Sequence, residues 1–217
     1  GKLRGMGAAI GVTFEGLMEG DSIKGLFLQG GLSLPLTLRK GMMQMRRPQT
    51  PVSPFPYTTE EVRVASGNIV LSGTLTLPPN SNSNTPVVVM VTGSGQQNRD
   101  EEIFGHRPFA VLADALARHG IASLRYDDRG YGNAALDFSS FTTDDFKDDA
   151  EAVIRYLRNR FSRVGVIGHS EGGTIALMMA AEGKADYVVT MAAMAVSGLQ
   201  TLVSQHRASL AQAFLPV

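Results

Sequence analysis

The sequence predicts an α/β fold, a mostly parallel sheet flanked by helices and preceded by a small antiparallel β segment. Three observations carry that expectation. Residues 164–167 form a short apolar, mostly β-branched run, and residues 174–181 behind it carry Ile175, Leu177, Met178 and Met179 as a wide apolar helical face. Residues 87–91 (VVVMV) are continuously apolar, as suits a strand buried on both faces. Between these runs, helical patterns alternate with strand patterns, the order that builds βαβ units.

Taken from the start, residues 7–38 are glycine-rich with short alternating segments. Ile10, Val12 and Phe14 alternate with smaller partners. Residues 23–28 read as a second strand and 34–38 as a third, with turns at Gly20-Asp21 and Gly30-Gly31. Pro35 cannot donate to a ladder, so the third strand is expected at an edge or a bulge. A three-stranded meander cannot bury both faces alone. Residues 1–43 are therefore expected to be the C-terminal part of a small β domain whose first strands lie upstream of Gly1. Residues 44–58 hold Pro48, Pro51, Pro54 and Pro56 and read as an extended linker, with Arg46 and Arg47 as solvated charges.

Residues 59–217 read as the α/β domain. Residues 60–65 and 68–77 form an antiparallel pair across Ser66-Gly67-Asn68. A polar loop leads to the strand 87–91, which exits into Thr92-Gly93-Ser94-Gly95; residues 96–102 are polar and expected to rim a site. Pro108 opens a helix to about residue 119 with Phe109, Leu112 and Leu116 on one face. His106 is expected to cap that helix or order the loop before it. His119 suits the helix's C-terminal dipole. Residues 121–126 form the next strand, and Asp127-Asp128-Arg129-Gly130 follows, with Arg129 expected to pin the loop through a nearby carboxylate. Thr142 and Asp145 resemble a capping box, and Phe146, Val153, Ile154 and Leu157 line one helix face. Asp144, Asp145, Asp148 and Asp149 lie in the first turns, where the dipole favours them, without the spacing of a calcium loop. Residues 187–191 read as a further strand, and 198–214 as an amphipathic helix through Leu199, Leu202, Val203, Leu210 and Phe214.

The chemistry is carried by Gly168-His169-Ser170-Glu171-Gly172, the pattern G-x-S-x-G set between strand and helix. A serine on so sharp a turn lifts its hydroxyl above the sheet. Gly168 and Gly172 let backbone pass close by, and the helix aims its first N–H groups at the same point. That arrangement suits an attacking alkoxide and the oxyanion it creates.

With GHSEGG, three further stretches resemble the α/β-hydrolase superfamily, and within it the bacterial esterases and serine aminopeptidase-like hydrolases: VVVMVTGSGQQNRDE (87–101), GHRPFAVLADALARHGIASLRYDDRGYGN (105–133) and FTTDDFKDDAEAVIRYL (141–157). The resemblance covers about residue 60 onward and implies the N-terminal part of that fold, strands one to about six. It implies Ser170 as nucleophile of a Ser-Asp/Glu-His triad in that chain order, with no metal and no cofactor. The oxyanion donors it implies are the backbone N–H groups of Glu171 and Ser94, with Gly95 the competitor to Ser94. His169 is expected to pack beside the elbow. A periplasmic or secreted location is favoured by the same resemblance.

Composition excludes several classes. With 20 basic and 20 acidic side chains the formal charge is zero, so nothing favours nucleic acid or an anionic membrane. No apolar run reaches the roughly 18 residues of a membrane span. The sequence holds no cysteine, hence no disulfide, thiolate metal site or cysteine nucleophile.

The triad is incomplete in this sequence. After Ser170 the one histidine is His206 and the acids are Glu171, Glu182 and Asp186, none at the family's positions. The chain is therefore expected to be a fragment, inactive or nearly so, with its triad acid and histidine elsewhere. An exposed sheet edge after its last strand would invite self-association. Three functions compete: hydrolysis of small carboxylic esters, an aminopeptidase using Glu101, Glu102 or Glu171 to clamp a free amine, and a non-catalytic binding module.

Overall fold

The computed structural model describes residues 2–7, 11–40, 47–133 and 137–213. The chain divides into two compact units, residues 1–44 with 196–217, and residues 45–195.

The first unit contains a four-stranded antiparallel meander in chain order: β1 (Lys2–Gly7), β2 (Val12–Glu19), β3 (Ser22–Gln29) and β4 (Leu32–Arg39). The sequence reading missed β1, whose apolar alternation is broken by Gly5 and Gly7. The start expected at Ile10 lies outside the described residues. Pro35 sits on β4, an edge strand, opposite Leu26. Helix α4 (Gly198–Ala213) belongs to this unit; the side chains of Leu210 and Phe214 lie outside the described residues.

The second unit holds a six-stranded sheet in the order β10-β9-β7-β8-β6-β5. The hairpin β5 (Thr58–Ser66) and β6 (Ile69–Leu77) turns at Gly67, whose φ of 59° suits glycine. β6 runs antiparallel to β8 (Ala122–Tyr126), while β8, β7 (Val87–Val91), β9 (Val164–His169) and β10 (Val188–Met191) are parallel. Strand alternation splits the core. Val88, Met90 and Ile167 face Phe109 and Ala113 of α1 (Pro108–Arg118). Val87, Val89, Val91, Val164 and Val166 pack in the cluster that includes α2 (Thr143–Arg158) and α3 (Glu171–Ala181). β7 therefore connects to β8 on one side, and β8 connects onward to β9 on the other. The loops leaving β7 and β9 part at this switch in strand order, where parallel sheets open a crevice at their C-terminal ends. Among the described residues, no helix is long and apolar enough to cross a membrane.

Two corrections concern local structure. Helix α3 begins at Glu171, three residues before the expected Thr174, because Gly172 and Gly173 break the periodicity of its first turn. Arg47 is tied down, its Nη2 donating to the Phe104 carbonyl at 3.0 Å; Arg46 lies outside the described residues.

Arg129 makes a buried, two-pronged ionic tie in the loop after β8. Its Nε and Nη2 donate to the two oxygens of Asp149 at 2.8 Å each, and Nη1 to Asp145. The Asp149 carboxylate is wholly buried. Asp145 also accepts from the Thr142 N–H, completing the capping box on α2. Removing one partner of a buried ion pair leaves an uncompensated charge. Asp149→Ala is expected to lower the unfolding free energy by about 3 kcal/mol or more. Arg155→Ala, which breaks an exposed pair with Glu151, is expected to cost less than about 0.5 kcal/mol. Urea denaturation of both variants checks the contrast.

Candidate active site

Ser170 links β9 to α3 with φ 53° and ψ −114°, a strained conformation for a residue bearing a side chain. Its N–H donates to the Met191 carbonyl at the end of β10, at 2.9 Å. The corner is held by backbone packing on backbone. A Cβ on Gly168 would lie 1.9 Å from the Gly172 carbonyl oxygen, and one on Gly172 would lie 2.2 Å from that of Val91. Both glycines of the pattern are therefore demanded by close approach, one within the elbow and one between the elbow and β7. The N–H of Glu171 is the first of α3 and has no intrahelical partner.

The loop leaving β7 lies against the elbow. A Cβ on Gly93 would come within 3.3 Å of the Ser170 Cβ. The Gly93 N–H is already committed, donating to Glu101 Oε1 at 2.8 Å. That leaves Ser94 and Gly95 as the next main-chain donors along the loop. Gly95, at φ 94°, makes the turn.

Carboxylates from several elements fix this loop. Asp128 accepts from Thr92 Oγ1 at 2.8 Å through one oxygen and from the Gln97 N–H at 2.7 Å through the other. Asp127 accepts from the backbone and side chain of Arg99. Asp100 pairs with Arg125 on β8. Burial pushes the Asp128 carboxyl up to about 7, aided by the negative charges of Asp149 and Glu101 and opposed by its two hydrogen bonds. A groove of about 520 Å³ opens beside the start of β6 and the exit of β8, lined by Ile69, Val70, Ser72, Tyr131 and Phe141 among others.

The remaining candidates are placed as follows. His169 Nδ1 lies 2.7 Å from Glu101 Oε1, at hydrogen-bond distance. This contact was not legible in the sequence, because 68 positions separate the partners. Glu101 was expected on the rim but is 8% exposed. Glu102 pairs with Arg107, and Glu171 Oε1 accepts from Thr143 Oγ1. His106 orders its loop through paired backbone bonds with Ile103, and the N-cap of α1 is Arg107. His119 Nδ1 bonds the Ala115 carbonyl at the end of α1. Glu182 pairs with Lys147, and Asp186 binds Arg158 and the Val164 N–H at the start of β9, the end opposite Ser170. His206 contacts the Leu202 carbonyl within α4. Among the described residues no group of three or more His, Asp or Glu could hold a metal ion.

Comparison with known proteins bears on this geometry. The family model described as serine aminopeptidase, S33, matches residues 106–216, just over half of the chain. The curated esterase EstD of Thermotoga maritima is 36% identical over 144 residues, covering 65% of this chain and 34% of that protein. The chain thus spans about a third of the length of that relative. Among solved structures, proline iminopeptidase from Mycobacterium smegmatis superposes with a TM-score of 0.55 at 20% identity, covering 72% of this chain and 50% of that one. Dienelactone hydrolase from Anabaena variabilis gives 0.53 at 23% identity, covering 64% of each chain.

Two outcomes test the site's construction. Gly172→Ala would drive a methyl group into the Val91 and Thr92 carbonyl oxygens, so α3 must lift from β7. A loss of about 2 kcal/mol or more is expected in urea denaturation. Asp128 gives a pH signature. Its ordinary value is 3.8, so the native state holds a proton that the unfolded chain has lost between about 4 and 7. The stability this group contributes is full below the lower value and is lost as pH rises through about 7. Asp128→Asn is expected to flatten that part of the profile, read as the change in urea midpoint between pH 5 and pH 8 in wild type and variant.

Proposed function

The chain belongs to the serine aminopeptidase S33 family of α/β-hydrolases, and on that premise we propose that it carries the nucleophile and oxyanion site of a carboxylic-ester hydrolase. The observation that carries this reading is the backbone of Ser170, held at φ 53° between a buried parallel strand and a helix N-terminus. Strain of this kind persists where the surroundings over-determine it, as the two glycine contacts do here.

In the proposed reaction Ser170 Oγ attacks the acyl carbonyl carbon while a general base takes its proton. The carbonyl oxygen becomes an oxyanion facing the N–H groups of Glu171 and Ser94. Collapse expels the alcohol with a proton, and water then releases the acid from the acyl-enzyme. The base and its acid are read as lying outside these 217 residues, since the downstream candidates are engaged elsewhere. The 217-residue chain alone is accordingly expected to turn over short esters barely or not at all. Small acyl esters are favoured over peptides by the acids themselves. A free-amine clamp needs an uncommitted carboxylate, and Glu101, Glu102 and Glu171 each have a partner.

In the full-length protein a fluorophosphonate probe should label Ser170, and short p-nitrophenyl esters should turn over faster than aminoacyl anilides. Ser170→Ala should abolish labelling and lower ester turnover by roughly a thousandfold or more. Faster anilide turnover would favour the peptidase, and an unlabelled Ser170 would favour a non-catalytic module.

A further inference from the structure

The geometry points to Glu101 as a positioning residue that sets the oxyanion loop and the ring of His169 against the nucleophile through a single carboxylate oxygen. Oε1 accepts from the Gly93 N–H at 2.8 Å and from His169 Nδ1 at 2.7 Å. One partner belongs to the loop after β7, and the other is the residue immediately before Ser170. The atom thus clamps together the two segments that part at the switch in strand order. A Cβ on Gly93 would stand 3.2 Å from that oxygen, 3.3 Å from the Ser170 Cβ and 3.4 Å from His169 Nδ1, so the four groups meet at one point.

Two consequences follow from donor and acceptor chemistry. An ionised carboxylate only accepts, so the His169 proton is assigned to Nδ1. The Gly93 N–H, spent on Glu101, is withdrawn from the oxyanion site, which directs the role to Ser94. The carboxylate is built for this place. Glu101 is 8% exposed and adopts φ 51°, unusual for a residue with a side chain. The turn holding it there is tied at several points. Its own N–H donates to the Asn98 carbonyl, and Asn98 Oδ1 accepts from the N–H groups of Asp100 and Glu102. Arg99 is locked onto Asp127.

The inference rests on Ser170 being the nucleophile, and two readouts separate its failure from the failure of that reading. The first needs no turnover. In ¹⁵N-labelled 217-residue protein, His169 should show an Nδ1–H resonance moved downfield and protected from solvent exchange. Glu101→Ala should remove it, while Glu101→Gln, whose amide oxygen can still accept both bonds, should keep it. The second is phosphonylation of Ser170 in the full-length protein. Glu101→Ala should lower the maximal labelling rate roughly tenfold or more, with the half-saturating probe concentration unchanged and labelling complete at long times. Glu101→Gln should recover most of that rate. If Glu101→Ala does not fold, Glu101→Asp, one methylene too short to reach both partners, replaces it. An unchanged His169 signal, or an unchanged labelling rate in a folded variant that has lost the signal, overturns the inference. A wild-type protein that shows the His169 signal but never labels at Ser170 overturns the nucleophile assignment and leaves the clamp standing.

Discussion

Everything at the upper end of the sheet depends on how closely the elbow backbone approaches β7. The Gly172 Cα lies where a methyl group would strike the carbonyl oxygens of Val91 and Thr92, and Gly168 lies as tightly against Gly172 itself. With no side chain in the gap, the first turn of α3 can sit beside the exit of β7. In the proposed reaction the N–H groups of Glu171 and Ser94 serve the oxyanion from these two adjoining segments. A larger residue at either position would force these backbones apart, and the proposed oxyanion site would work only with its donors already aimed.

Holding the loop is a separate problem from making room for it. Thr92 to Gly95 is short, glycine-bearing and polar, the kind of segment that would otherwise sample many conformations. Here the ordering comes from carboxylates belonging to other segments. Asp128 takes both Thr92 and Gln97, Asp127 takes Arg99, and Glu101 takes Gly93. Asp127 and Asp128 follow β8 and so move with the sheet, while Arg129 ties the same turn to Asp149 on α2. Positions of the loop are thereby referred to two strands and a helix. The arrangement also explains the raised Asp128. The charges of Asp149 and Glu101 act on it in a largely buried region, and desolvation outweighs the two hydrogen bonds that favour its ionised form.

Much of this was legible in the residues. Apolar runs and Pro108 located the strands and helices of the second unit, and the capping box at Thr142 placed the start of α2. The elbow pattern pointed to Ser170 because its glycines record a steric demand within a few positions of chain. Arg129 was legible as a pinning residue, though its partner was not singled out among four nearby aspartates. What could not be read are ties between distant positions. Glu101 looks like one more acid in a polar stretch, and nothing near it announces His169. β1 escaped notice for the opposite reason: Gly5 and Gly7 pair by backbone alone and leave no apolar signature.

The clamp at Glu101 also bears on which chemistry the site can support. An aminopeptidase must offer a carboxylate to a substrate ammonium, and that carboxylate must be both accessible and unspent. Glu101 touches Gly93 and His169 beside Ser170, yet it is buried and its Oε1 carries two hydrogen bonds. Drawing it toward a substrate amine would release Gly93 and His169 together, loosening the loop that the proposed oxyanion site uses. Glu102 would have to leave Arg107, and Glu171 would have to leave Thr143 at the head of α2. An ester makes no such demand. In the proposed reaction its recognition would need only apolar surface for the acyl group and two N–H donors for the carbonyl oxygen, leaving the acids in the contacts they make here.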